Sequence, residues 1–308
     1  MSTNLTANPF ANCTGVTPEC PAYYSPLTYQ PSLVANFIFL IIFIVCALVS
    51  LILGLFYRTW AYGFCTVAGC VLELLGYLGR VKLHSDLWNS GAFTTQIITL
   101  IIAPAFLSAS IYLTLKHVVL TFGREFSLLK PALYTWIFVS MDILSLLVQA
   151  AGAAIFGAKN ADISQLKAGA NIALAGIILQ VVSLATFGLL GGLYLFRLNK
   201  HWGTLSPQAV AIAHSTRTHF FAAAVIIAYI TILIRCIYRI PELAGGYRNE
   251  VYMNQTEFIV LEGVMISIAA ICLSFIHPGI FFPQLSAHQR KKQGTAVPEQ
   301  YIELNGKR

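Results

Sequence analysis

Residues 33–56 read LVANFIFLIIFIVCALVSLILGLF, an apolar run with no charged side chain. The hydrocarbon core of a bilayer is about 30 Å thick, and about 20 consecutive apolar residues in a helix cross it. Leu33 to Phe56 is therefore read as a membrane span. The 32 residues ahead of it contain no Lys or Arg, whereas a cleaved secretory signal carries a basic flank before its apolar core. The stretch is expected to remain in the protein as its first span.

Six further stretches pass the same test: Ala61 to Arg80, Phe93 to Leu115, Ala132 to Gly157, Gly169 to Phe196, His219 to Tyr238 and Glu257 to Phe282. The loops between them are short and leave no room for a soluble domain. The expected fold is all-α, a polytopic membrane protein of seven transmembrane helices. Residues 1–32 form an extracellular N-terminal tail, 33–282 the seven-helix domain, and 283–308 a basic cytoplasmic tail. Composition agrees, since 57% of the 308 residues are hydrophobic and 10% charged, against about 25% charged in a soluble domain. The formal net charge is +7. Its basic residues are scattered between apolar stretches rather than gathered on one polar face, so no nucleic-acid partner is expected.

With the N-terminus outside and the C-terminus cytoplasmic, twelve Lys and Arg fall on the inner side: Arg58, Lys116, Arg124, Lys130, Arg197, Lys200, Arg217, Arg290, Lys291, Lys292, Lys307 and Arg308. Six fall on the outer side: Arg80, Lys82, Lys159, Lys167, Arg239 and Arg248. Cytoplasmic loops carry such an excess. The glycosylation sequons at Asn4, Asn12 and Asn254 all lie outside in this topology, which agrees with it. Cys13 and Cys20 share that outer segment, where a small disulfide and two free thiols are both open. Cys46, Cys65, Cys70, Cys236 and Cys272 lie in apolar stretches, where a thiol is a small hydrophobe.

An ionised side chain at the bilayer centre costs at least about 2.5–3.5 kcal/mol, so each needs a partner, a wet cavity or a proton. In the second span, Glu73, Gly76, Tyr77 and Arg80 share one helical stripe. In the fourth, Asp142, Ser145, Gln149 and Gly152 do the same, with Asp142 near the membrane middle. The sixth ends in Arg235, Tyr238, Arg239, Pro241 and Glu242, and Pro241 is expected to stop or kink it. The seventh carries Glu257 and Glu262 and closes with His277 and Pro278. At about 1.5 Å of rise per residue, Glu73, Gln96, Gln149, Arg235 and Glu262 fall in the outer half, with Asp142 and Gln180 nearer the middle. A polar cavity lined by Glu73, Gln149, Arg235 and Glu262 is expected there, opening outward or sideways into the outer leaflet.

Structural pairing competes with that expectation, because buried acids and arginines also fix helix register. Glu73, Asp142 and Glu262 outnumber Arg235, so an acid is left for a cation or a proton unless Arg80 or Arg239 folds inward. Gly152, Gly176, Gly188, Gly191 and Gly192 are read as contacts for close helix approach. Pro104, inside the third span, is either a kink that shapes a cavity or a tolerated irregularity. Gln96, Gln149 and Gln180 are read as interhelical hydrogen-bond donors and acceptors.

Enzyme chemistry has little support. His84, His117, His201, His214, His219, His277 and His288 form no metal-spaced pair, and no zinc-protease, serine-hydrolase or nucleotide-binding motif appears. No enzymatic activity, metal or cofactor is expected, and ATP-driven pumping is not expected of this chain.

The motifs Glu73-x-x-Gly76-Tyr77-x-x-Arg80, Ile102-Ala103-Pro104 followed by Ile111-Tyr112, and Phe126-Ser127-Leu128-Leu129 occur in order. They are followed by Asp142-x-x-Ser145-x-x-x-Gln149-x-x-Gly152, Arg235-x-x-Tyr238-Arg239-x-x-Glu242 and His277-Pro278-Gly279. Over Leu33 to Pro283 the chain thereby resembles the fungal lipid-translocating exporters, the aminocholesterol-resistance-like seven-helix proteins that include a sphingoid long-chain base exporter of yeast. The resemblance implies an amphipathic small-molecule substrate, membrane lipid as partner, and a place in the plasma membrane or another fungal endomembrane. Members are associated with sphingoid base release, resistance to toxic sterol analogues and drugs, phospholipid asymmetry, and porphyrin or haem movement. Two positions depart from the pattern: Asn254-Gln255 stands where members often carry His-Glu, and Glu262 where the acid is often Asp.

The leading expectation is export of an amphipathic lipid, with sphingoid long-chain bases as the best single substrate. The base's ammonium would sit among Glu73, Tyr77, Asp142, Gln149, Arg235 and Glu262, its tail between helices or in lipid. Arg80, Pro104, Tyr238, Arg239, Glu242, His277 and Pro278 would serve structure or gating. The alternatives are a seven-helix lipid receptor or stress sensor, and a regulator of lipid asymmetry with no transport of its own.

Overall fold

The structure is a computed structural model of the 308-residue chain. It describes residues 17, 20–22, 25, 27–156, 163–201, 207–244 and 254–281. Five long helices come first: α1 (Leu33–Phe56), α2 (Trp60–Ser85), α3 (Ser90–Phe122), α4 (Pro131–Phe156) and α5 (Ile163–Lys200). A short α6 (Pro207–Ala213) leads into α7 (Thr216–Ala244). The last span is composite, with a single turn α8 (Gln255–Glu257), a π-helical segment (Phe258–Val264), α9 (Met265–Phe275) and α10 (Pro278–Phe281). Among the described residues the only β-pairing is an isolated bridge between Thr17 and Cys20.

Seven of these helical stretches are long and apolar enough to cross a membrane, and the chain is a multi-pass membrane protein. Large side chains such as Ile52, Phe64, Leu147, Phe196 and Phe220 point outward and are exposed. An outward apolar belt of this extent is soluble only in hydrocarbon.

Local chemistry fixes the helix ends. Ser32 caps α1 by accepting from the Ala35 N–H, and Asn89 caps α3 by accepting from the Ala92 N–H at 2.9 Å, each filling one of the donors a helix start leaves open. α3 closes at Gly123, whose φ of 127° suits a residue without Cβ. α3 has 33 residues and α5 has 38, about 50 and 57 Å at 1.5 Å per residue. Both overrun the hydrocarbon core, so their ends lie past the limits set by hydropathy.

α3 is the spine of the bundle. Two thirds of its apolar stretch is buried, against 28% for α1, and α2, α4, α7 and α9 all pack on it. Between α4 and α5 the approach is closest at Gly152 and Gly176. A Cβ at Gly152 would strike the backbone of Gly169 and Ala173, and one at Gly176 the backbone of Ser145 and Gln149. These two glycines act as small-residue contacts.

The prolines behave differently from what their chemistry suggests in isolation. Pro104 lies inside an uninterrupted α3. Pro241 does not stop α7, which runs on to Ala244. Only three residues follow it there, and Arg239 pairs with Glu242 across the proline at 2.9 Å.

Candidate functional site

Polar side chains in this bundle are arranged as a column along α3. At the end where α1 begins, the Arg80 guanidinium is buried, and among the described residues its hydrogen bonds all go to neutral groups. Its Nε donates to Asn36 Oδ1 at 3.2 Å, Nη1 to Gln96 Oε1 at 3.3 Å and Nη2 to the Tyr29 hydroxyl at 3.0 Å. The Phe258 ring covers its Cζ at 3.8 Å, a cation–π contact strengthened by the burial of the guanidinium.

Beside it lies an ion network between α7 and the last span. Arg235 Nη2 and Arg239 Nη2 both donate to Glu262 Oε1, at 2.7 and 2.9 Å. Arg239 Nη1 also lies 2.9 Å from Glu242 Oε2. Arg235 donates in addition to the main-chain carbonyl of Leu100. Glu262 is thus held by two guanidiniums, which offset the desolvation of burying it. It sits in the π-helical segment, a form that is rare and recurs at functional sites.

Glu73 is unlike these. It is fully buried, and both of its carboxylate oxygens lack a hydrogen-bond partner, as does the hydroxyl of Tyr77 one turn along the same helix. Tyr77 packs its ring on Phe39 and Phe43.

About 12 Å further along α3, eight residues past Leu100 at 1.5 Å each, Ser108 and Tyr112 both donate to Asp142 Oδ2 at 3.0 Å. Asp142 Oδ1 is buried and unpartnered. The ring of Tyr112 meets those of Phe138 and Phe187, with centroids 5.6 and 4.5 Å away.

The expected site residues therefore divide. Glu73, Tyr77, Arg235 and Glu262 share one region, Asp142 forms its own centre on α3, and Gln149 bonds Gln180 at 3.2 Å between α4 and α5. Glu73, Gln149, Arg235 and Glu262 are all at most 5% exposed, so they are packed groups rather than the walls of an open cavity. Arg80 and Arg239 both turn inward, but only Arg239 meets acids, Glu242 and Glu262, and among the described residues neither Glu73 nor Asp142 is in an ion pair. Tyr238 is buried on the same stretch of α7.

At the opposite end of the bundle, His277 is fully buried. Its Nδ1 accepts from the Gly279 N–H at 3.1 Å, which leaves Nε2–H facing Thr59 Oγ1 at 3.3 Å. With the Tyr62 hydroxyl on the Leu273 carbonyl at 2.8 Å, it fastens the last span to the turn between α1 and α2. Pro278 opens α10 directly behind it.

A cavity of about 500 Å3 lies at that same end, among α3, α5, α6 and α7, with a mostly apolar wall. Gly191 and Gly192 border it, and a Cβ on Gly192 would meet nothing within 4 Å, so these two glycines leave space rather than closing a helix contact. Gly188 is instead covered by Tyr229.

Asn36, Tyr29, Ser108 and Phe258 were not singled out by sequence. Asn36 carried a signal, being a polar side chain in an otherwise apolar span. Asn254 caps α8, accepting from the N–H groups of Thr256 and Glu257. Cys20 is disulfide-bonded, while Cys13, Asn4, Asn12 and the tail with Arg290, Lys291 and Lys292 lie outside the described residues.

Residues 66–285 match the family model described as RTA1 like protein. The sphingoid long-chain base transporter RSB1 of Saccharomyces cerevisiae is 30% identical over 274 residues, covering 80% of this chain and 70% of the relative. Protein RTA1 of the same yeast is 26% identical over 199 residues, 64% of this chain and 60% of the relative. Protein RTM1 is 26% identical over 204 residues, 66% and 63%. No solved structure matches the chain.

Proposed function

The chain belongs to the RTA1-like protein family, and on that premise we propose that it carries amphipathic lipids across the bilayer, with sphingoid long-chain bases as substrate. The observation that carries this reading is the pair of incompletely bonded buried acids, Glu73 and Asp142 Oδ1. A carboxylate in hydrocarbon needs a cation or a proton, and a lipid ammonium supplies the first while its tail remains in apolar surroundings. Glu262, already held by Arg235 and Arg239, positions helices instead of binding the amine. Asp142 receives the ammonium at Oδ1, with Ser108 and Tyr112 holding Oδ2. When the amine leaves, a proton takes its place on the carboxylate and the carrier resets without an unpaired charge. The lipid is moved and not chemically changed, so no enzyme activity is involved.

The 30% identity to a protein named a sphingoid long-chain base transporter supports this substrate class. The distribution of Lys and Arg supports an outside N-terminus, with glycosylation on that side, and export of such lipids from the cell would place the protein in the plasma membrane. Removal of toxic amphipaths from the inner leaflet would then confer resistance to them.

The test is transbilayer movement of an isotopically labelled sphingoid base in liposomes containing the purified protein, beside empty liposomes and an Asp142→Asn variant. Protein-dependent movement reduced at least tenfold in the variant is the expected result. Specific binding with no movement above empty liposomes would favour a receptor or a regulator of lipid asymmetry.

A further inference from the structure

The cavity between α3, α5, α6 and α7 is used by none of the polar centres above, and its walls describe what it can hold. Its deep part is formed by Ile111, Phe187 and Tyr229, and its outer part by Thr218 and His219 at the start of α7. The hydroxyl of Tyr229 is already engaged by the Leu184 carbonyl at 3.1 Å, and that of Thr114 by the Ser110 carbonyl at 2.9 Å. Free polar character is thus confined to the Thr218 and His219 end, in the first turn of a membrane span. From Thr218 to Tyr229 is about 16.5 Å along α7 at 1.5 Å per residue.

We propose that this cavity is the binding site for the alkyl chain of a single-chain amphipathic lipid, whose polar end lies at Thr218 and His219. Taking a methylene as roughly the 30 Å3 share of a liquid water, 500 Å3 holds roughly sixteen of them, the size of a single lipid chain. The solvent alongside these spans is lipid, so a chain enters sideways without crossing water. Gly191 and Gly192 keep the α5 wall bare along its path. At the deep end Phe187 closes the cavity, and Tyr112 lies directly behind it with its hydroxyl on Asp142. Two rings therefore separate the seated chain from the acid assigned to the amine, and their rearrangement is the step that would join tail site to head site. The identity of the lipid rests on the transport reading, while the existence of the site does not.

The probe is a sphingosine carrying a photoactivatable diazirine at the end of its chain, added to liposomes containing the full-length protein. Adducts are expected on Ile111, Phe187 and Tyr229. Gly192→Trp should lower them at least fivefold, leaving adducts on outward-facing Phe64 and Leu147 and the unfolding temperature unchanged. Ala222→Phe, which fills the same space from α7, serves if the tryptophan variant does not fold. Adducts spread equally over Phe64, Leu147 and the cavity wall, or unaltered by both variants, would overturn the site. Labelling in the cavity without transport of the base supports the site and counts against the transport reading. Transport with no cavity labelling overturns the site alone.

Discussion

Arg235 donates to the main-chain carbonyl of Leu100, whose partner in a regular helix would be the amide of residue 104, a proline with no N–H to give. One residue opens a hole in the hydrogen-bond ladder of α3, and a cation from another helix fills it. Freed backbone groups in membrane helices must be re-satisfied by a neighbour. Here the same guanidinium also neutralises Glu262, so the ladder of α3, α7 and the last span are joined at one atom cluster.

Arg235→Met should therefore cost about 3–5 kcal/mol, the usual loss when one member of a buried ion pair is removed. Arg235→Met with Glu262→Gln should cost less than the sum of the two single changes. Thermal unfolding of the four proteins in detergent measures the difference, and additivity within about 0.5 kcal/mol would show that the pair is not coupled.

Pro104→Ala restores an N–H to the Leu100 carbonyl. In that background the penalty of Arg235→Met should fall by about 1 kcal/mol, the net worth of one hydrogen bond. An unchanged penalty would mean that the carbonyl contact contributes nothing.

The glycines separate by what surrounds them. Gly152→Ala places a methyl against the backbone of Gly169 and Ala173, where neither neighbour is a flexible side chain that can yield, and should lose about 1–3 kcal/mol by overpacking. Gly192→Ala faces open space and should gain about 0.5–1 kcal/mol from helix propensity. Unfolding temperatures of the two variants should move in opposite directions.

Asn254 uses its side chain as a helix cap, accepting from Thr256 and Glu257 and donating to Glu257 Oε1 at 2.9 Å. An asparagine so engaged is a poor acceptor for a glycan. Asn254→Gln should leave the mobility shift on glycosidase treatment unchanged, and Asn254→Ala should cost about 1 kcal/mol through the lost cap. A smaller shift in the Gln variant would show that the site is modified.

The spans were legible because hydrocarbon imposes a length and a polarity that no loop satisfies. Leu33–Phe56 coincides at both ends with the helix observed. Phe93 to Leu115 falls short of Ser90–Phe122 because α3 continues past the apolar zone. Spacing placed Glu73 with Tyr77 and Arg80 on one stripe, yet gave no sign that Arg80 would find Asn36 and Gln96 instead of an acid. Periodicity identifies a face and is silent on which helix it meets. The glycines show the same limit, since Gly152 and Gly192 look alike in sequence while one touches backbone and the other touches nothing.

The π-helical segment from Phe258 to Val264 carries one residue more than an α-helix of the same reach. A helix turns by about 100° per residue, so if the segment became α-helical while keeping that residue, everything on one side of it would rotate by about that amount relative to the other. Phe258 at its start lies over Arg80, and Glu262 within it holds Arg235 and Arg239. The surplus residue thus sets how the part of the last span beyond it faces relative to the part that meets these three arginines. Removing Ile259 would set Phe258 and Glu262 three apart on a regular helix, still on one face, so the pair would survive the loss of the π turn.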